Sequence, residues 1–485
     1  MNNCIPTSLY TLFSSFVTAF STPSFTNFVA ICSGWILCDS RHTISRVILS
    51  GRCFSSGKHH SVFYRFLTRA RWITDSLGRI IFRLALQFVP ESALTVIIDD
   101  TLCRKSGPHI WGAAMHHDPL ISTYGRGAAK RHEGFAFGHN WVVLALWVPL
   151  PWNISRGMAL PILVRLYRSK KYTSAQQYRK RTEIAAELIT LIHSWVPQDR
   201  KLRVVGDNEY ACKTVLRAVS EDIDFVGPVI MNAHLNAPCS PDQTRRRKRG
   251  RKPKRGRRLP SPRKLANQSS VPWKKIEVTI YGRPVQIFVK TKVVLWYSVC
   301  KARKIRLVVT RDPKGVLEDR AYFTTDVGSN DDEQREMHEV QATLTVFSRR
   351  WSLEVTFFNT KQFLGLEDPQ NGWGKRKKAR RKKKPTGSRP RGNKGSKAVQ
   401  RTVPLILYVY GIVSLWYLEN GSPDADVSWI RRMMPWYRTK RTVSFSDMLR
   451  AIRREYYEAR IKTYPLSNRV AQDIVECLME GPCIA

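Results

Sequence analysis

Three acidic side chains, Asp99, Asp207 and Glu354, sit in sequence settings suited to gathering divalent cations. Asp99 closes the run SALTVIIDDT, in which Leu94 to Ile98 is short, apolar and β-branched, the pattern of a buried strand with acids at its C-terminal end. Asp100 follows directly and is the alternative first acid. Asp207 follows the run LRVVG in the same way, and Glu354 lies in FSRRWSLEVTFFNTKQFLG, which reads as a helix. Carboxylates from two strand ends and one helix can hold two metal ions about 4 Å apart, activating a water or hydroxyl and stabilising the 3′ oxygen that leaves a phosphodiester. Hard oxygen ligands suit Mg²⁺ or Mn²⁺. No Cys or His cluster competes. The ten cysteines form no CxxC pair, and His116, His117, His132 and His139 have no standard metal spacing and read as core or surface residues.

Glu354 has cations on both sides. At 100° per residue Phe347, Arg350, Glu354 and Lys361 share a 60° stripe of one helix, with Leu353, Val355 and Phe357 beside it. On this stretch alone an exposed Arg–Glu pair, worth a few tenths of a kcal/mol, explains the pattern as well as a site does. Trp351 fits either a core position or a ring that stacks on a displaced base. Asn208, Glu209 and Tyr210 beside Asp207 either support the acid or cap the next helix.

The elements that must position these acids follow an α/β order. Strands are expected at Leu94–Ile98, Phe137–Leu150, Leu202–Gly206 and Asp224–Ile230, with helices at about 174–195 and 209–220. Residues 1–90 read as helical, a DNA-binding or dimerisation region or an ordinary amphipathic pair. Residues 273–325 alternate like strands, a β-rich insertion. Helical pattern resumes near Asp331 and carries Glu354. The apolar run Val403–Tyr417 reads as a buried core helix, being too short to span a bilayer comfortably. The segment SFSD starts a last, basic helix. The expected organisation is a helical region at 1–90, the catalytic domain in two parts at 91–228 and 326–420, an insertion at 229–325, and a helical region at 421–485.

Charge points to a polyanionic partner. The 485 residues carry 81 Lys and Arg against 38 Asp and Glu, a formal net charge of +43. Residues 245–264 and 375–397 each hold 13 cations and no acid, and without these 26 the remainder still carries +17. Both tracts read as disordered basic arms or linkers, which bind phosphate readily. Within the first, Arg249 and Arg251 form an Arg-Gly-Arg core like that of an AT-hook, a minor-groove element. The apolar start of the chain lacks a positive n-region, its first cation being Arg41, so a soluble protein with reduced thiols and no membrane partner is expected.

The chain resembles the DDE transposases of bacterial insertion sequences. The resemblance rests on VIIDDTLCRKSG, on VVGDNEY and on the spacing of Phe347, Arg350, Glu354 and Lys361, which matches the Y-(2)-R-(3)-E-(6)-K pattern at every gap, over roughly residues 91–420. It implies an α/β fold with an RNase H-like catalytic domain, two Mg²⁺ or Mn²⁺ ions on Asp99, Asp207 and Glu354, and DNA phosphate contacts from Arg350 and Lys361. It also implies double-stranded DNA partners (terminal inverted repeats and target), a homodimer that pairs two ends, and a place in the bacterial cytoplasm at the nucleoid. Asp99 is preferred over Asp100 because the D-x-T frame and Lys105, six positions on, fit it. One departure stands out. Phe347 replaces the family's Tyr, so a hydroxyl contact to phosphate is lost.

Overall fold

In the computed structural model, residues 5–55, 57–107, 109–118, 134–239, 253–328, 332–370, 372 and 391–461 are described. Five helices open the chain: α1 (Thr7–Ser14), α2 (Thr22–Leu37), α3 (Ile44–Ser50), α4 (Ser61–Thr68) and α5 (Thr74–Ala85). The sheet then begins with β1 (Ala93–Arg104), β2 (Ala114–His117) and the long hairpin β3 (Phe135–Leu150) and β4 (Asn153–Tyr167). Helix α6 (Arg181–His193), β5 (Lys201–Gly206), α7 (Lys213–Ala218) and β6 (Asp224–Val229) follow. The next stretch holds β7 (Leu235–Asn236), β8 (Arg258–Leu259), α8 (Pro262–Asn267), β9 (Lys274–Ile280), β10 (Arg283–Leu295), α9 (Tyr297–Cys300), β11 (Lys304–Arg311) and β12 (Arg320–Thr324). Helices α10 (Glu333–Ser348), α11 (Trp351–Phe363), α12 (Gly392–Asn420), α13 (Pro423–Met433) and α14 (Phe445–Ile461) complete it.

The twelve strands among the described residues join one sheet in the order β2-β3-β1-β5-β6-β12-β11-β10-β7-β8, with β4 paired to β3 and β9 to β10. The central pairs β1–β5 and β5–β6 are parallel and the others antiparallel. Leu94 to Ile98 are buried on both faces, the burial expected of strands covered by helices on each side. The strands of the alternating segment 273–325 join that sheet. β12 pairs with β6 and extends the same sheet outward.

The helix layer that carries Glu354 is seated on β4. The Thr356 hydroxyl donates to the Ala159 carbonyl at 2.8 Å, and Tyr408 Oη to the Ile162 carbonyl at 3.1 Å. Gly78 lets α5 approach so closely that a Cβ there would lie 1.9 Å from the Ile162 oxygen. Helix α12 contains the apolar run Val403–Tyr417, which is buried in the core against β4, α5 and α14. By length and composition alone this 29-residue helix is long and apolar enough to cross a membrane. Two arginines tie the N-terminal helices to this layer. Arg401 donates to the carbonyls of Phe66, Leu67, Ala70 and Trp72, and Arg453 to those of Ile36 and Cys38. Orphan carbonyls at helix ends are satisfied in this way. The helices of residues 7–85 thus share one hydrophobic core with the sheet.

Two parts of the basic tracts depart from the disordered reading. Arg258–Leu259 pairs with Leu235–Asn236, and Pro262–Asn267 forms α8, capped by Ser261. Gly392 onward begins α12. Arg249 and Arg251 lie outside the described residues, as do 375–390 and His132. At the SFSD segment, the Asp447 carboxylate accepts from the Ser444 backbone at 2.8 Å, which fixes the start of α14.

Candidate active site

The β1–β5 register sets the first two acids side by side. Ile98 pairs with Gly206, so the next residues, Asp99 and Asp207, lie abreast at neighbouring parallel strands. Side chains alternate along a strand, so Asp100 faces the opposite way from Asp99. The Asp100 carboxylate is fully engaged there, accepting from Asn140 Nδ2 at 2.6 Å, Arg181 Nη1 at 3.0 Å and Tyr210 Oη at 2.9 Å. Arg181 also pairs with Glu209 at 2.8 Å. Tyr210 and Glu209 adjoin Asp207 in the sequence and are expected as supports, whereas no local signal singles out Arg181.

Arg350 joins the third acid to the first. Its guanidinium stands 2.9 Å from Asp99 Oδ2 and 2.5 Å from Glu354 Oε1. Burial, reinforced by the neighbouring Asp207, pushes the Asp99 carboxyl up to about 7 against the opposing pull of Arg350. Burial pushes Glu209 up to about 7 as well, with Asp100 and Asp207 adding to it and Arg181 opposing.

The continuous helix expected through Phe347 and Glu354 is broken. Helix α10 ends at Ser348 and α11 starts at Trp351. Across the joint the backbone bonds run three residues back, from Arg349 to Val346, Arg350 to Phe347, Ser352 to Arg349 and Leu353 to Arg350. Such 3₁₀-type turns advance about 120° per residue, so the 60° stripe does not survive. Phe347 belongs to α10, with its ring 4.7 Å from that of Tyr322. Even so, Phe347, Arg350, Glu354 and Lys361 all line the same open cleft of about 1500 Å³, together with Asp99, Asp100 and Asp207.

Other expected contacts come out differently. Lys361 Nζ donates to the Leu102 carbonyl at 2.8 Å. Lys105 is buried and donates to the carbonyls of Glu367 and Pro369, a structural clamp. Trp351 is 49% exposed, which removes the core reading, and its ring meets that of Tyr281 at 6.2 Å. His139 is buried, bonded to the Trp111 carbonyl and pushed down to about 3 chiefly by burial, a neutral core residue. His116 is also buried, and His117 is at the surface. The seven described cysteines form no disulfide with one another.

Hard carboxylate oxygens, two of them abreast, with one carboxyl raised by burial and then by its neighbour, make a donor set that fits divalent cations. As arranged, no three His, Cys, Asp or Glu among the described residues stand close enough to hold an ion, and the Arg350 guanidinium lies between Asp99 and Glu354.

A family model described as DDE superfamily endonuclease matches residues 15–290. The match contains Asp99 and Asp207, takes in the N-terminal helices that the motif resemblance left out, and stops before Glu354. No curated protein matches the chain. Among solved structures, the piggyBac transposase in a synaptic complex with hairpin DNA is similar at 11% identity, with a TM-score of 0.37, over 94% of this chain and 76% of that one. That likeness is too slight to carry weight.

Proposed function

The chain belongs to the DDE superfamily endonucleases, and on that footing we propose that it is a transposase of bacterial insertion-sequence type that cuts DNA at element ends and joins them to target DNA. The observation that carries this reading is the meeting of Asp99, Asp207 and Glu354 in one cleft with Arg350 between them. The strand order β4-β3-β1-β5-β6, with β1, β5 and β6 parallel, supports an RNase H-like catalytic core.

Asp99, Asp207 and Glu354 would hold two Mg²⁺ or Mn²⁺ ions, which would supply Lewis acidity at the scissile phosphodiester. The protein's own part is charge placement. Arg350 and Lys361 exchange their present partners, the acids and the Leu102 carbonyl, for phosphate oxygens of bound DNA, through charge-assisted bonds. The Phe347 ring packs on Tyr322 and contributes shape but no donor. Asp100, Tyr210, Arg181 and Asn140 form a hydrogen-bonded cluster beside Asp99, and Asp100, Arg181 and Asn140 line the same cleft. The reading places the protein at the bacterial nucleoid as a homodimer on paired inverted repeats.

A second reading, a DNA-binding derivative that has lost catalysis, is favoured by Phe347 standing where the resemblance has Tyr. Incubation with Mg²⁺ and a duplex carrying the element ends separates the two. The transposase reading expects cleavage by the wild type and none by Asp99→Asn, Asp207→Asn or Glu354→Gln. Equal cleavage by all four refutes the residue assignment, and binding without any cleavage favours the derivative.

A further inference from the structure

A basic and aromatic turn outside the cleft has no role so far. Between Asp426 and Asp447 the chain holds Arg431, Arg432, Arg438, Lys440 and Arg441 and no acid. The two flanking acids are already engaged. Asp426 binds Tyr417 Oη and Arg454, and Asp447 binds Lys440, Arg450 and Ser444. Arg431, Arg432, Arg438 and Arg441 are exposed, and none of them has a carboxylate partner among the described residues. Trp436 and Tyr437 stand out beside them, 72% and 48% exposed.

The turn is held in shape by its own backbone. The Tyr437 amide donates to the Met434 carbonyl at 2.9 Å, and Arg431 Nε donates to the Lys440 carbonyl at 2.7 Å. Its aliphatic residues Val427, Ile430, Met434 and Val443 are buried. The surface therefore offers guanidinium forks and rings, without the aliphatic face that an interfacial membrane helix needs.

A continuous line of contacts runs from this turn to the acids. Arg156 Nη1 reaches Thr442 Oγ1 at 3.5 Å. The stem of Arg156 lies against Gly282, where a Cβ would come within 2.6 Å of its Cγ. The adjoining Tyr281 meets Trp351, three residues before Glu354, and both rings line the cleft.

We propose that the Arg431–Arg441 turn, with Arg156 and Tyr281 as the bridge, is a track for the phosphate backbone of double-helical DNA leaving the catalytic cleft. The inference rests on the nuclease reading of that cleft. Arginine forks match phosphate oxygens, and a turn with five cations and no acid suits the dense charge of a duplex backbone.

The test compares the full-length protein with the Arg432→Gln/Arg438→Gln/Arg441→Gln variant, and with the same three residues changed to Lys. Binding of a labelled random-sequence duplex of about 40 base pairs is followed by anisotropy against salt. Three lost phosphate contacts should reduce the slope of log affinity against log salt by about 2 to 3 and lower affinity at least tenfold near 0.1 M salt, and the Lys variant should restore most of the slope. All three residues are exposed, and an unchanged melting temperature verifies folding; if the Gln variant melts early, the Arg432→Gln/Arg441→Gln pair replaces it. An unchanged slope overturns the inference. So does loss of binding to phosphatidylserine vesicles with duplex binding intact. Asp207→Asn keeps the two readings apart. If it cuts normally while the slope falls in the arginine variant, the track stands and the cleft assignment falls.

Discussion

Replacing Arg350 with glutamine removes a cation that touches both Asp99 and Glu354, at 2.9 and 2.5 Å. Each charge-assisted bond is worth about 1.5–3 kcal/mol when its partner is buried. Glu354 is a third exposed, so its share falls below about 1 kcal/mol. Asp99 is mostly buried beside Asp207 and carries the larger share, giving a net loss of about 2–3 kcal/mol. An unfolding entropy of about 2.1 cal/mol/K per residue over 485 residues means that 1 kcal/mol moves the melting temperature by about 1 °C. Metal-free Arg350→Gln should therefore melt about 2–3 °C below wild type in scanning calorimetry with chelator present. Saturating Mg²⁺ restores positive charge among the acids, so the gap should shrink to less than about half. An equal gap with and without Mg²⁺, or no gap at all, refutes the reasoning that Arg350 balances charge at a metal centre.

Other expectations follow from the same geometry. The Asp99 carboxyl, raised to about 7, must lose its proton to bind a cation, so apparent Mn²⁺ affinity should weaken as pH falls below 7, by up to about tenfold per unit, and level off above about 8; a titration flat from pH 6 to 8 contradicts this. Tyr210→Phe removes a buried donor from Asp100 and should cost about 1–2 kcal/mol in denaturant unfolding while leaving the cleft acids in place. Asp100→Asn should retain far more DNA cleavage than Asp99→Asn, and the reverse order would move the first acid by one residue. Gly78→Ala drives a methyl into the Ile162 carbonyl and should destabilise by about 1–3 kcal/mol or more, read as an early thermal transition.

Local sequence singles out the candidate acids through apolar runs that meet a carboxylate. Strand β5 ends at Gly206, just before Asp207, as its apolar run predicts, but β1 runs on to Arg104, so Asp99 stands mid-strand where its pairing with β5 stops. The choice between Asp99 and Asp100 was harder from local pattern, since adjacent residues on a strand differ only in which face they take. Tertiary contacts give the two different partners, Arg350 for Asp99 and Asn140, Arg181 and Tyr210 for Asp100, and the latter contacts span 40 to 110 positions. The break at Arg349 and Arg350 was also hidden. No Pro or Gly marks it, and both residues keep right-handed helical angles. Charge alone suggested disorder for both basic tracts, but Arg258–Leu259 has a partner strand and Pro262–Asn267 a serine cap. Pairing between β12 and β6, which joins the strands of 273–325 to the main sheet, cannot be read from alternation.

The central claim is that Asp99, Asp207 and Glu354 act as one centre. Single-turnover cleavage of end-containing duplex, measured for Asp207→Asn, Glu354→Gln and the double variant, tests it most directly. Side chains that work as a unit are non-additive, so the double variant should be no slower than the worse single one. Rate losses that multiply, or a single variant that cuts at the wild-type rate, would contradict the account.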